Sequence, residues 1–292
     1  MARASRPGRL ITGRRSSPYL PIIVALLMST VVLLMLVALG IFSLPVGSKG
    51  GPHISRHRFR RSAFESKEEE ERGEQWTELL SWEPRAFIYH NFLSKEECEY
   101  LIKLATPRMQ KSTVVDTKTG KSVDSRVRTS SGMFLRRGQD KIIRTIEKRI
   151  ADFTFIPVEH GEGLQVLHYE VGQKYEPHFD YFHDEFNTKN GGQRIATLLM
   201  YLSDVEEGGE TVFPSAIFNS SSLPYYNGLS SCAKKGLSVK PKRGDALFFW
   251  SLKRNGTKDP TSLHGGCPVI KGSKWSATKW MRLHKFELGN PL

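Results

Sequence analysis

The chain has 292 residues, 39% of them hydrophobic and five of them tryptophan, enough to bury the core of one large domain or two small ones. Its formal net charge is +13. The basic residues are dispersed, with no basic helix and no basic strip interleaved with aromatics, and this excludes the usual footprint of nucleic-acid binding.

In chain order, residues 1–19 hold Arg3, Arg6, Arg9, Arg14 and Arg15 with no acid, and Leu20 to Leu44 follows without a single charge. A cleaved signal peptide carries an apolar stretch of about 7–15 residues. This run is longer, and long enough to cross a bilayer as a helix. The sequence therefore predicts a cytosolic tail (1–19), an uncleaved single-pass anchor (20–44) and a lumenal remainder. Lys49, Arg56, Arg58, Arg60 and Arg61 follow the span, so the charge difference across it is small. The first helix usually sets orientation, which assigns the N-terminal side to the cytosol. Residues 45–80 are Gly-rich, then basic, then Glu-rich, and with no sustained apolar period they read as a solvated stem.

The folded domain is expected over 81–292. A strand candidate runs from Ser81 to Tyr89. Ser94 then caps a helix, with Glu97 three residues on as its capping-box partner and Tyr100, Leu101 and Leu104 as an apolar stripe. Thr113 to Ser131 is polar and reads as a long loop, either a binding lid or a plain surface connection. Lys141 to Phe153 is amphipathic, which predicts a helix with Ile142, Ile146, Ile150 and Phe153 inward.

From Leu164 strands dominate. Gln165, Leu167 and Tyr169 alternate with Leu164, Val166 and His168. After Gly172 a second extended piece carries His178 and Asp180, whose i, i+2 spacing puts them on one face. Ile195 to Leu202 is continuously apolar, as in a strand buried on both faces. Further strands are expected at Gly208–Phe213, Asp245–Trp250 and Lys274–Trp280. Many short strands with Gly-rich turns after two helices predict a mainly β, α+β jelly roll with helical support. Two acceptor triplets, at Asn219 and Asn255, fit export and glycosylation. Cys232 and Cys267 flank His264, and an oxidising lumen would let them pair. Cys98 falls in a helix-like run and reads as a buried free thiol.

The chemistry gathers on few residues. One imidazole and one carboxylate suit a divalent metal such as Fe(II), and a further His completes a two-His-one-carboxylate set with positions open for oxygen chemistry. His264, at a Gly-flanked turn, is the natural third ligand. His90, His160, His168, His183 and His284 read as structural. Lys274 opens a core-like strand, where a buried ammonium is costly unless it meets an anion. A dicarboxylate would supply that anion. The hydroxyls of Thr211 and Tyr169 could stand beside it, although both residue types are also ordinary strand formers.

Seven segments in order carry a resemblance: Leu164–Tyr169, Tyr175–Asp180, Ile195–Leu202, Gly208–Pro214, Gly244–Trp250, His264–Pro268 and Lys274–Trp280. Together they closely resemble the prolyl 4-hydroxylases, most of all the plant and algal membrane-anchored type, over about Ser81 to Phe286. The resemblance implies a double-stranded β-helix (jelly-roll) dioxygenase behind a single transmembrane helix. It implies Fe(II), 2-oxoglutarate, O2 and L-ascorbate as cofactors and cosubstrates. The implied reaction is 4-hydroxylation of peptidyl-proline in proline-rich secreted or cell-wall glycoproteins of the extensin or arabinogalactan kind. A proline-rich substrate arrives already extended as polyproline II, which lowers the entropy lost on binding. Metal ligands carry over to His178, Asp180 and His264, and the cosubstrate carboxylate to Lys274 with Tyr169, Thr211 and Trp280 around it. Peptide contacts carry over to Tyr175, Arg194 and Arg128, and the family's disulfide to Cys232 and Cys267. The expected place is the endoplasmic reticulum membrane, with the Golgi as alternative, as a type II protein with a lumenal catalytic domain. Pairing with itself or with related subunits stays open. Many members have His where this chain has Arg282, which puts peptide preference in doubt. Two other readings are an inactive jelly roll that binds proline-rich glycoproteins and a hydrolytic zinc site. Neither needs the triad and Lys274 together.

Overall fold

The computed structural model describes residues 20–38, 72–115, 122–124, 126–218 and 226–287. The expected tail (1–19), most of the stem and the Asn219 triplet lie outside the described residues. The chain divides into two units, Met1–His53 and Ile54–Leu292. In the first, α1 runs Leu20–Ala38, 19 residues with neither acid nor base. Its described apolar side chains, Ile23, Leu26, Leu27, Met28, Val31, Val32 and Met35, are all exposed. Among residues whose side chains are described, no helix is long and apolar enough to cross a membrane.

The second unit begins with β1 (Trp76–Trp82), β2 (Arg85–His90), α2 (Lys95–Ala105), β3 (Gln110–Lys111), β4 (Thr113–Val115), β5 (Ser122–Asp124), β6 (Ser131–Leu135) and α3 (Lys141–Thr154). Strands follow: β7 (Leu164–Tyr169), β8 (Tyr175–His178), β9 (Arg194–Tyr201), β10 (Glu207–Gly208) and β11 (Thr211–Phe213). The last are β12 (Leu237–Val239), β13 (Ala246–Trp250), β14 (His264–Gly266), β15 (Val269–Lys271) and β16 (Lys274–Arg282). One sheet has eight strands in the order β1-β2-β13-β9-β16-β7-β6-β3, and a second has four, β12-β11-β14-β8. Two antiparallel sheets lining a shared interior, with helices on the outer face of the larger one, form the expected jelly roll.

Local chemistry explains the helices. The Ser94 hydroxyl accepts from Glu97 N at 3.1 Å and Ser94 N donates to the Glu97 carboxylate at 2.9 Å, so the predicted capping box is complete. The same carboxylate grips Arg149 of α3 in a two-pronged ion pair at 2.8 and 2.9 Å, tying the two helices together. Asp140 caps α3 by accepting from Ile143 N at 2.9 Å. The inward stripe of α3 differs by one position from the sequence expectation. Ile143, Ile146 and Ile150 are buried, while Ile142 and Phe153 only pack at the margin. Thr113 to Ser131 also differs, because β4 and β5 pair within it, with Thr113 opposite Asp124 and Val115 opposite Ser122. The β-branched Thr113, Val114 and Val115 on one arm and Val123 on the other favour a pleated ribbon.

Alternation along the two central strands sorts the interior. On β9, Ala196, Leu198 and Met200 face the helices, where they join Leu101, Ile146 and Ile150 in the main core. Thr197 and Leu199 face the opposite way, into the space between the sheets. On β16, Ala277 and Met281 go to the helices, while Lys274, Ser276, Thr278 and Trp280 line the interior. Lys279 shares the helix side of β16, where its ammonium meets Glu147 of α3 at 2.5 Å with both side chains 1% exposed. The other Glu147 oxygen accepts from Gly138 N at 2.8 Å. A buried charge is tolerated only with such complete pairing.

Candidate active site

The floor of the interior is set by a close backbone approach. A Cβ on Gly265 would lie 2.9 Å from the carbonyl oxygen of Tyr175 and 3.1 Å from Pro177 N, so only glycine lets β14 come this near β8. That approach places His264 opposite His178 in the register, with ring centres 4.5 Å apart. Asp180 follows just past the end of β8, and its carboxylate accepts from the Thr197 hydroxyl of β9 at 2.6 Å. One ligand atom from each of His178, Asp180 and His264 lies within 4.8 Å of the others.

The imidazoles are oriented by their own backbone. His178 Nδ1 lies 2.9 Å from the Glu176 carbonyl and His264 Nδ1 lies 2.9 Å from the Ser262 carbonyl. A carbonyl only accepts, so each Nδ1 carries a proton and Nε2 is the ring atom left to face an ion. Those Nε2 atoms point at the Asp180 carboxylate, at 3.8 and 3.6 Å, too far for hydrogen bonds and well placed to share an ion. Burial, then the neighbouring His264, holds His178 far below the ordinary histidine range, in its neutral form. Burial opposes the charge on Asp180, but His264, His178 and Arg194 outweigh it and keep the carboxylate ionised. Two imidazoles with their Nδ1 protons turned to backbone carbonyls, and one carboxylate facing their Nε2 atoms, fit Fe(2+).

Deeper in the same pocket lies Lys274, 3% exposed, with its ammonium donating to the Gly209 carbonyl at 2.7 Å. Burial pulls it down to about 8, with Glu210 partly opposing. It stands 5.5 Å from the Tyr169 ring and 5.6 Å from the Tyr201 ring. Thr211 is also buried here and accepts from the Tyr201 hydroxyl at 2.9 Å. The Trp280 indole nitrogen lacks a hydrogen-bond partner among the described residues, as does Arg128 Nε. A pocket with a buried cation and orphaned donors fits an oxygen-rich dicarboxylate.

The three expected peptide contacts lie around the metal ligands. Tyr175 stacks on His178 with ring centres 3.6 Å apart, and the Arg128 guanidinium lies 4.7 Å over the Tyr175 ring. Arg128 also donates to Gln165 at 2.8 Å. Arg194 sits 3.8 Å above the Trp280 ring and 3.8 Å from the Asp180 carboxylate, and Glu162 holds it with two bonds of 2.8 Å. Arg282 shares that Glu162 carboxylate at 2.6 Å and donates to the Asn187 and Gly192 carbonyls, both at 2.7 Å. In this position it braces the segment after Asp180. The Cys232–Cys267 disulfide is present, fastening the chain directly after β14. Cys98 is a buried free thiol, as expected, pushed up to about 12 by burial. Asn255 lies on an exposed turn, its side chain accepting from Thr257.

Thr197, Tyr201 and Glu162 escaped the sequence reading. Thr197 and Tyr201 sit four apart inside an apolar strand, hence on one face, and a hydroxyl-bearing face of an otherwise apolar strand was the available signal. Nothing local marks Glu162, whose two arginines come from β9 and β16.

Residues 164–282 match the family profile described as the 2OG-Fe(II) oxygenase superfamily. The chain is 72% identical over 254 residues to "Probable prolyl 4-hydroxylase 3" of Arabidopsis thaliana, covering 87% of this chain and 88% of that one. It is 68% identical over 229 residues to "Prolyl 4-hydroxylase 5" of the same plant, covering 78% and 79%. Among solved structures it is similar to the viral collagen prolyl hydroxylase from Paramecium Bursaria Chlorella virus-1, a 2OG complex, with TM-score 0.50 and 28% identity over 68% of this chain and 95% of that chain.

Proposed function

We infer the finer reading below from one premise: the chain belongs to the prolyl 4-hydroxylases of the 2OG-Fe(II) oxygenase superfamily. It is a dioxygenase that hydroxylates proline at C4 with Fe(2+), 2-oxoglutarate and O2. In our reading His178, Asp180 and His264 hold the iron, and Lys274, with Tyr169, Thr211 and Trp280, holds the far carboxylate of 2-oxoglutarate. Bound iron and cosubstrate supply the oxidising chemistry, in which 2-oxoglutarate leaves as succinate and CO2. The chain's own residues orient and shield. Thr197 fixes the carboxylate plane of Asp180. The Glu176 and Ser262 carbonyls fix the imidazole tautomers. Leu167, Leu199 and Phe249 give the pocket apolar walls that keep water off the reacting centre. Tyr175 and Arg128, which line the pocket, and Arg194 beside Asp180 receive the peptide.

The substrates in this reading are proline-rich secreted or wall glycoproteins of the extensin or arabinogalactan kind, and L-ascorbate restores the iron. The protein is a type II membrane protein of the endoplasmic reticulum, its catalytic domain lumenal, with glycans at Asn219 and Asn255. What supports the anchor is the uncharged run Leu20 to Leu44 of the sequence, in which α1 lies. Ser29 and Thr30 satisfy their hydroxyls on the Leu26 and Leu27 carbonyls, needing no water.

The observation that carries the catalytic reading is the tautomer-fixed His178–Asp180–His264 triangle opening into the same pocket as buried Lys274. The test is succinate release with a poly-proline peptide, with and without added Fe(II). Asp180→Ala should abolish peptide-dependent turnover while its circular dichroism stays native. Normal turnover by that variant would remove Asp180 from the metal site. Peptide binding with no succinate from the wild type would point instead to a binding module.

A further inference from the structure

Arg282 and Arg194 stand opposite each other across β16 and β9. Their guanidiniums share one anchor. Glu162 Oε1 accepts from Arg282 Nε at 2.6 Å and from Arg194 Nε at 2.8 Å, while Glu162 Oε2 accepts from Arg194 Nη2 at 2.8 Å. The Phe182 ring serves both as well, 4.7 Å from the Arg194 guanidinium and 4.5 Å from that of Arg282. Arg282 also holds the chain that leads into Arg194, since its Nη1 donates to the Asn187 and Gly192 carbonyls, both at 2.7 Å. A Cβ on Gly191 would lie 3.1 Å from Arg282 Cβ, so the backbone there runs close against this side chain.

Arg282 itself presents little to a peptide. It is 4% exposed, its Nε and Nη1 are engaged by the protein, and its guanidinium packs against Phe182 and, at 5.2 Å, Phe286. Arg194 differs. With Nε and Nη2 on Glu162, its Nη1 lies on the side of Asp180, 3.8 Å from that carboxylate and too far for a hydrogen bond. An arginine side chain has many rotamers and a rigid planar head, so whatever fixes Glu162 also fixes where the remaining donors of Arg194 point.

We propose that Arg282 is a positioning residue for peptide binding: through the Glu162 carboxylate, the Phe182 ring and the Gly192 carbonyl it fixes Arg194, and Arg194 meets the peptide. The assignment rests on the reading of Arg194 as a peptide contact and adds to it the residue that sets the direction of its donors. One carboxylate held between two guanidiniums transmits the position of one to the other.

The test uses the full chain in detergent, loaded with Mn(II) and 2-oxoglutarate, and calorimetric titration of a poly-proline peptide. Arg282→Ala should weaken the peptide about five- to fiftyfold, the coupling expected between residues of one ion-pair network. The affinity for 2-oxoglutarate, titrated into the Mn(II) protein, should stay at the wild-type value. The deciding measurement is the same substitution made together with Arg194→Ala. There it should weaken the peptide no further, because the residue it positions is gone. Three results would each overturn the proposal: unchanged peptide affinity in Arg282→Ala; an undiminished further loss on top of Arg194→Ala, which would make Arg282 act independently; or an equal loss for peptide and 2-oxoglutarate, the sign of a loosened domain. Should Arg282→Ala not fold, Arg282→Lys carries the same cycle, because it keeps the charge and loses the planar fork. Arg194→Ala alone separates the two levels. If it leaves peptide affinity unchanged, the reading of Arg194 as a peptide contact fails with the proposal. If it weakens the peptide and Arg282→Ala does not, the proposal alone fails.

Discussion

At Lys274 an ammonium is buried with the Gly209 carbonyl as its hydrogen-bond partner among the described residues, an arrangement that leaves a charge under-compensated until an anion arrives. Replacing it by Ala leaves the cosubstrate carboxylate buried and unpaired, a loss of roughly 3–5 kcal/mol. The expected outcome is a rise of about two to four orders of magnitude in the apparent Michaelis constant for 2-oxoglutarate, with Fe(II) affinity unchanged. Lys274→Arg should recover only part, because a planar fork does not fit a place shaped for a compact ammonium. Steady-state kinetics with both variants checks this, and an unchanged constant in Lys274→Ala would exclude the residue from the pocket. Arg282 belongs to the same scale. Its bonds to Glu162 and to the Asn187 and Gly192 carbonyls engage the guanidinium with the protein itself, which makes it a brace for the segment after Asp180.

Between elements, polar pins do much of the fastening. His90 at the end of β2 lies 2.8 Å from Asp245, just before β13, and 3.2 Å from Glu78 of β1, and it stacks on Trp76 at 3.7 Å. Burial opposes charge on His90, but the Asp245 and Glu78 hydrogen bonds prevail and raise it to about 9. A group raised above its unfolded value binds its proton more tightly when folded. Its contribution is therefore complete below about pH 6.5 and disappears as pH climbs through about 9. Glu78 is 44% exposed and screened, so the contribution is at most about 1–2 kcal/mol. Thermal unfolding between pH 6.5 and 9.5 should show a falling midpoint that His90→Asn flattens. Parallel curves for the two proteins would remove the pin from the account.

At the scale of the whole molecule, two features bear on the proposed lumenal placement. The Cys232–Cys267 bridge closes a loop with a sequence separation of 35, stabilising by roughly 4 kcal/mol in the chain-entropy picture. Such a bond persists in an oxidising lumen and not in the cytosol. In the proposed type II arrangement, protease added to sealed microsomes should spare the catalytic domain, and detergent should expose it. Digestion without detergent would reverse the proposed orientation.

The sequence by itself determined what depends on near neighbours and on chemical identity. The Ser94 capping box spans three residues, the alternation of Leu164 to Tyr169 is local, and His178 and Asp180 sit two apart. The motif order carried the family, because those residues form the reacting centre and cannot drift. Only the tertiary structure decided which partners came from afar. Thr197 reaches Asp180 because β9 of one sheet and the end of β8 of the other line the same pocket, and Glu162 serves Arg194 and Arg282 because β9 and β16 run side by side. Lys279 finds Glu147 across 132 positions, a pairing no period along the chain announces. The β4–β5 ribbon was read as a loop because its arms are three residues each, too short for a period to register. Ser276 needed the fold most of all. A serine in a strand is unremarked in sequence, and only the fold shows that it lines the pocket beside Lys274.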